Sequence, residues 1–391
     1  MIPVSDARLI LDDAVGPLAP KMLPLTDAVN QVLAEDVVAC IDVPQFDQSA
    51  MDGYAFQLHD LEQNSWLAVA GEAAAGSSSP HVLQKGTAMR IFTGAPMPNG
   101  ADVVLMQEHA HIHDGNLLFS GCPLQKGRNV RAAGSVVKKG AMVLPRGTVL
   151  LPGAVGLLAS LGMAQVKVYP SPRVALLVTG NELVTPGNAL QYGQVYDSNS
   201  PALIAALKQL GVDIVVVRYV SDCLHEVEEA LEALLPHCDL LLITGGVSVG
   251  KYDFVIAGAK RAGVQTLFHK VAQKPGKPLF FGRWQQTPVF GLPGNPGAVL
   301  TCFYIYVAPV IKKMMQQKFA LVRHMPLGIA VEKKTGLTYF LKGHIEGNKV
   351  MPLGAGDTMR KSSFAFADCI IELDADDVYF DAESIVKVHP I

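Results

Sequence analysis

The chain has 391 residues, 50% of them hydrophobic and only 17% charged, with a formal net charge of −3 at pH 7. At about 150 residues per domain, that length predicts two to three domains, and the apolar share excludes a mainly disordered chain. The slight acidity gives no bulk sign of nucleic-acid binding, so an anionic ligand must find locally clustered lysines.

In chain order, residues 5–20 read as a short amphipathic helix ending near Gly16 and Pro17. Asp6, Asp12 and Asp13 interrupt its apolar face, which argues against a signal peptide. Residues 21–43 read as a second helical stretch followed by the apolar run Val37 to Val43. Residues 44–136 are rich in glycine, proline and serine and alternate short β-like runs with turns. Within them Asp114-Gly115 stands between HAHIH and NLLFSG, a hairpin signal. From 137 to 169 the chain is apolar again, with a helix expected near Pro152 to Leu161.

Residues 171–315 alternate strand and helix. RVALLVTG (173–180), DIVVVRY (213–219) and DLLLITGG (239–246) are strand runs. Between them lie a helix over Asn199 to Leu210, with Ser198 or Asn199 as N-cap, and one that Asp222 could cap, running to His237. Another helix starts near Tyr252. Such alternation predicts a doubly wound parallel sheet with helices on both faces and ligands at the C-terminal strand ends. The tail, 319–391, reads as short strands forming a small barrel or sandwich. Two charge-free stretches, 148–166 and 284–311, are broken by glycine and proline and read as buried soluble helices; the helical part of the second, about Gly297 to Val310, is too short to span a bilayer. The six cysteines show no CxxC spacing, which fits reduced thiols in the cytoplasm.

Several motifs carry chemistry. TGGVSVGKYD (244–253) follows a strand and opens a helix, so Gly245, Gly246, Ser248 and Gly250 could cradle a phosphate, or merely turn the chain. HKVAQKPGKPLFFG (269–282) places Lys270, Lys274 and Lys277 within eight residues, either an anion pocket or a solvated basic turn. GLPGNPGAV (291–299) sets Pro293 and Pro296 before an apolar helix, framing an anion site or only a stop-start signal. Glu182 in TGNEL, Asp222 and Asp253 are carboxylates near loops at one sheet edge, a set that suits a divalent cation. Asp52 in SAMDGYA reads by default as a turn aspartate. His109, His111 and His113 alternate on a strand, more in keeping with a solvated face than with a metal site.

Together SAMDGYA, RIFTGAPMPNGADVVLMQE, TGNEL, YDSN, TGGVSVGKYD, KPGKP and GLPGNP resemble, in order and spacing, the MoeA family of molybdenum cofactor synthesis proteins, to which the gephyrin E domain belongs. The resemblance implies a multidomain α/β protein. Domain I would be 21–43 and 137–169, helical and elongated, and domain II the β-rich insertion 44–136. Domain III would be 1–20 with 170–318, a doubly wound MogA/MoaB-like sheet, and domain IV the C-terminal β-barrel 319–391. It implies a cytoplasmic homodimer that inserts molybdate into adenylylated molybdopterin and releases AMP with the help of Mg2+ or a similar cation. Other molybdenum cofactor synthesis proteins would be partners, with no nucleic acid and no membrane. The implied catalytic set is Asp52, Thr93, Glu182, Asp222, Asp253, Lys274 and Lys277, with Asp52 and Thr93 supplied by the partner subunit. Gly245, Gly246, Ser248, Gly250, Lys270, Pro293 and Pro296 would bind the ligand, and Glu182 and Asp253 the metal.

The chain also departs from the family pattern. Ser135 and Val136 follow NVR-like residues where Glu-Asp is common, Ala298 replaces a serine, Lys342 replaces an arginine, and Gly356-Asp357-Thr358 replaces Gln-Gly-Ser. Lysine keeps the charge of arginine but loses its planar fork. Two alternatives therefore stand beside the enzyme: a binding or partner protein derived from the family, and a CinA-like nucleotide enzyme sharing only the sheet domain.

Overall fold

In the computed structural model, the described residues are 1–77, 79–119, 123–212, 214–246, 254–318, 322–354 and 364–391. They divide into two compact units, Met1–Met22 with Asn30–Val32 and Lys167–Ile391, and Leu23–Val29 with Leu33–Val166.

The first unit is built on a six-stranded sheet in the order Ile214–Val220, Val174–Thr179, Leu240–Thr244, Thr287–Leu292, Phe280–Trp284, Gln265–His269. The first four strands are parallel. The last two pair antiparallel, so the sheet is mixed rather than wholly parallel. The reason is the short link between Trp284 and Thr287, which leaves room for a hairpin but not for a crossover helix. Every residue of Val174–Thr179 and Leu240–Thr244 is buried. Val174, Leu176, Leu240 and Leu242 pack with Leu203 and Leu207 of helix Asn199–Gln209 and with Ala7 and Leu11 of helix Val4–Ala14. Ala175, Leu177, Leu241 and Ile243 pack on the other face with Val227 and Leu231 of helix Leu224–Leu234 and with Val255 and Ala259 of helix Phe254–Arg261. Each such valine, leucine or isoleucine contributes about 1.5–3 kcal/mol by leaving water.

One helix among the described residues, Pro296–Met314, is long and apolar enough to cross a membrane, but 67% of its apolar window is buried inside the protein. It is longer than its sequence predicts. It continues four residues past Val310, and the wide turn Phe303–Val307 precedes Ala308–Met314 and takes up the Pro309 ring without a break.

The C-terminal strands of the same unit form a small barrel. Thr338–Glu346 pairs with Cys369–Leu373, which pairs with Ile385–Pro390, which pairs with Arg323–Pro326. Lys349–Pro352 returns to Thr338–Glu346, and a bridge between Leu327 and Val350 closes the circuit. Leu327, Val350, Ile371, Leu373 and Val388 fill it.

The second unit contains a six-stranded sheet in the order Val103–Met106, Gly53–Phe56, Thr87–Ile91, Trp66–Ala73, Asn116–Phe119, Ala110–His113. The expected hairpin is present, with Asp114 at φ 45 and Gly115 at φ 76, both left-handed as its tight turn requires. His109 lies in the turn before the strand, not on it, while His111 and His113 are exposed. The helix expected within 21–43 does not form. Leu25, Ala28, Val32 and Leu33 are buried at helix-like spacing, but Pro24 and Asn30 at φ 64 break the run into short strands and turns. Strands Lys21–Pro24 and Val32–Leu33 stand where the helix was expected, and Val37–Val38, in the apolar run that follows, pairs with Met142–Leu144. The helix near 152 is Pro152–Ser160.

Helix Val4–Ala14 is fastened to the barrel by a buried ion cluster. Arg8 donates two hydrogen bonds to Glu372, at 3.1 and 2.7 Å, and His389 Nε2 lies 2.6 Å from its second oxygen. Burial alone would raise the Glu372 carboxyl, but the bonds from His389 and Arg8 and the Arg8 charge outweigh it and hold the pKa at about 2. A depressed carboxylate stabilises the fold above its unfolded pKa near 4.5 and loses that contribution as pH falls toward 2. Urea unfolding across pH 2–6 should therefore show an acid loss of about 3 kcal/mol from this residue. Glu372→Gln should flatten that limb; an unchanged limb would refute the assignment.

Candidate functional site

The parallel strands end in Thr179, Val220, Thr244 and Leu292, and the loops that follow lie at one edge of the sheet. After Thr244 come Gly245 at φ 89 and Gly246 at φ 60. A Cβ on Gly245 would stand 2.0 Å from the Thr179 carbonyl oxygen, and one on Gly246 2.7 Å from Val255 Cγ2. Only glycine lets the loop lie this close to the neighbouring strand. Ser248, Gly250 and Asp253 lie outside the described residues.

Glu182 is exposed just past Thr179. Beside it, Asn181 Oδ1 accepts from the Asp222 amide at 3.1 Å, so the loops carrying Glu182 and Asp222 adjoin. Asp222 caps no helix: the helix begins at Leu224, and Glu226 instead takes the Ser221 amide at 2.9 Å. Among the described residues no three His, Cys, Asp or Glu side chains could together hold a metal ion.

The edge strand Gln265–His269 runs with Thr287–Leu292, so Lys270 and the KPGKP turn emerge at the same edge. Lys274 and Lys277 are exposed and Lys270 is half-buried. The turn between them is braced from beneath. Gln273, 1% exposed, donates to the carbonyls of Pro275 and Gly276 at 3.1 and 3.2 Å, and its own oxygen accepts from Tyr306 Oη. Lys274 Nζ lies 5.2 Å from the centre of the Tyr339 ring. In the next loop Pro293 is buried and Pro296 opens its helix, where Asn295 Oδ1 accepts from the Ala298 amide at 3.2 Å.

Several members of this edge escape sequence reasoning. Ser198 holds the N-cap position of helix Asn199–Gln209, as expected, but its side chain makes no cap bond; Asp197 supplies it, its Oδ1 accepting from the Asn199 and Ser200 amides at 3.0 and 3.1 Å. Ser200 Oγ and Tyr219 Oη bond its other oxygen. Asn199 Nδ2 donates to Thr244 Oγ1 at 3.1 Å and to the Gly294 carbonyl at 2.8 Å. Gln273 also went unnoticed. The only local signal was YDSN, an aspartate placed to cap a following helix.

Asp52 and Thr93 belong to the second unit. Asp52 makes no local turn bond of the expected kind. Its Oδ1 accepts from both the amide and the hydroxyl of Thr93, each at 2.7 Å. These two bonds, with a smaller push from the Arg90 charge, hold the carboxyl below its ordinary range. Arg90 lies 5.0 Å from the Tyr54 ring centre and 5.3 Å from that of Phe92. Gly53 lets the adjoining strand approach, since a Cβ there would stand 1.9 Å from the Leu105 carbonyl oxygen.

Family models match along most of the chain. The MoeA N-terminal region (domain I and II) matches residues 2–162, and a probable molybdopterin binding domain matches 175–313. A molybdopterin molybdenumtransferase of Haemophilus influenzae is 38% identical over 403 aligned positions, covering 100% of this chain and 98% of that protein. The chain belongs to the MoeA family. A molybdopterin molybdenumtransferase of Staphylococcus aureus is 31% identical, covering 99% of this chain and 95% of that protein. Two structures of the MoeA protein from Pyrococcus horikoshii superpose over 100% of this chain with TM-scores of 0.82 and 0.74, at 29% and 27% identity, covering 99% and 100% of those chains. The resemblance read from the motifs and the α/β fold class are both correct. The match to the MoeA N-terminal region includes the insertion 44–136, which a protein sharing only the sheet domain would lack.

Removing the Thr93 hydroxyl tests how Asp52 is tuned. Thr93→Val keeps the amide bond and loses the other, so the Asp52 pKa should rise part of the way to its ordinary value. Carbon-detected NMR titration reads it, and an unmoved pKa would show that the hydroxyl does not matter.

Proposed function

We propose that this MoeA-family chain inserts molybdate into the dithiolene of adenylylated molybdopterin, after which the phosphoanhydride is hydrolysed and AMP leaves. The observation that carries this reading is the gathering of the glycine loop, the braced lysine turn and the proline loop at one edge of the sheet, in a chain matched end to end by a molybdopterin molybdenumtransferase. Molybdate and a phosphoanhydride are both anions. Lys270, Lys274 and Lys277 hold the oxyanion and neutralise charge as the transition state forms; each charged hydrogen bond is worth about 1.5–3 kcal/mol. Gly245 and Gly246, with Ser248 and Gly250, offer backbone N–H groups to the phosphates. Pro293 and Pro296 shape the oxyanion loop.

Glu182 and Asp253 would hold a divalent cation such as Mg2+, with Asp222 orienting water; carboxylate oxygens suit a hard cation, which when bound offsets phosphate charge. Asp52 and Thr93 would reach the site from the partner subunit of a cytoplasmic homodimer. Within each subunit, 21–43 with 137–169, 44–136, 1–20 with 170–318, and 319–391 would act as the four domains.

One observation favours a second reading, binding without turnover. Val136, 62% exposed, stands where the motif resemblance implies a carboxylate. Incubating purified protein with adenylylated molybdopterin decides between them. AMP release that needs both molybdate and Mg2+, and that Lys274→Ala slows about 100-fold, supports the enzyme. Tight pterin binding with no AMP release supports the binding protein and overturns the enzyme.

A further inference from the structure

We propose that Asn199 is a positioning residue for the oxyanion: its side-chain amide sets the proline loop, through the Gly294 carbonyl, against the end of the glycine-loop strand at Thr244. This rests on the molybdenum-transfer reading above and names a residue that reading does not include.

The two bonds run from one NH2 group to two elements far apart in sequence, Thr244 Oγ1 at 3.1 Å and Gly294 O at 2.8 Å. A carbonyl can only accept, so the Gly294 contact fixes which end of the amide faces the loops. The amide oxygen is buried and has no hydrogen-bond partner among the described residues. Asp197 already supplies the helix cap. An amide with an unused oxygen, on a helix capped by another residue, is explained by its two donor bonds.

The loops differ in how much they need this tie. The start of the glycine loop is wedged: Gly245 and Gly246 lie against Thr179 and Val255 at distances that leave no space for a Cβ. The proline loop is looser. Gly294, Asn295 and Pro296 are exposed, and a Cβ on Gly294 would meet nothing within 4 Å. The Asn199 bond is what fixes the Gly294 carbonyl, and the next residues carry the Asn295 cap and Pro296. Loss of the tie should therefore loosen the oxyanion end and spare the phosphate end.

The test uses the full-length protein and three uncharged variants, so that no added charge repels the anion. Asn199→Leu removes both bonds. Thr244→Val removes one and keeps the Gly294 tie. Thr244→Ser keeps both. Steady-state AMP release gives KM for molybdate and for adenylylated molybdopterin separately, and thermal unfolding gives the stability of each variant. Asn199→Leu should raise the molybdate KM about tenfold and leave the pterin KM within about twofold, the loss expected for one hydrogen bond to a positioned loop. Thr244→Val should raise it about two- to threefold, and Thr244→Ser should behave as wild type. A lower melting temperature with both KM values unchanged would make Asn199 merely structural and overturn the proposal. Equal rises in both KM values would overturn it too. Wild-type protein that releases no AMP would instead overturn the transfer reading, and the proposal with it.

Discussion

Burial of both faces of the central strands is the constraint from which the rest follows. Val174–Thr179 and Leu240–Thr244 meet helices above and below and have no solvent-facing side. A polar side chain in mid-strand would lose its water with no partner to replace it. Polar chemistry is therefore pushed to the strand ends, and the two threonines that close these strands mark the transition. Thr179 and Thr244 are 2% and 1% exposed, yet each lies where a loop begins. The close fit of Gly245 and Gly246 against Thr179 then turns core packing into loop geometry. Those two glycines are held tightly because the sheet beneath them is dense.

The groups proposed to meet substrate follow a common pattern. The charged end is open to solvent, and the backbone behind it is held by buried or local hydrogen bonds. Lys274 and Lys277 are exposed, while Gln273 beneath them is almost fully enclosed and bonded to Tyr306. Asp52 keeps one oxygen on Thr93. This arrangement avoids the large desolvation cost of a buried charge and still limits the positions the charge can visit. Lys342, to which no contact with substrate is assigned, is more enclosed. Burial lowers its pKa, and its ammonium lies 5.8 Å from the Phe364 ring centre.

Local pattern made the sheet, the Asp114-Gly115 hairpin and the helix at Pro152–Ser160 legible in the sequence, because continuous apolar runs and turn residues act over a few positions. The same logic misled at 21–43, where buried residues at 25, 28, 32 and 33 imitate a helix face although the backbone is strand and turn. It also stopped the apolar helix at Val310, one turn before its end at Met314. Of the site, the glycines, prolines and lysines could be read as motifs. Asp197 and Asn199 were legible only as part of YDSN, without their partners, and Gln273 not at all. The Asn199 bonds span 45 and 95 residues, and the Gln273–Tyr306 bond spans 33, so nothing near them in sequence reports the partner.

The departures from the family pattern bear differently on frame and chemistry. Ala298 is 3% exposed, and what the loop takes from this position is its backbone N–H, bonded to Asn295. A missing hydroxyl leaves that cap in place. The Val136 amide donates to the Val43 carbonyl at 2.9 Å, a bond that does not depend on its side chain. Both substitutions thus preserve the backbone while changing what it presents. At Ala298 the change is enclosed. At Val136 it faces solvent, where the motif resemblance implies a carboxylate, and an isopropyl group can neither hold a cation nor orient water. A loss of chemistry would therefore arise at Val136 before Ala298, and without any loss of fold.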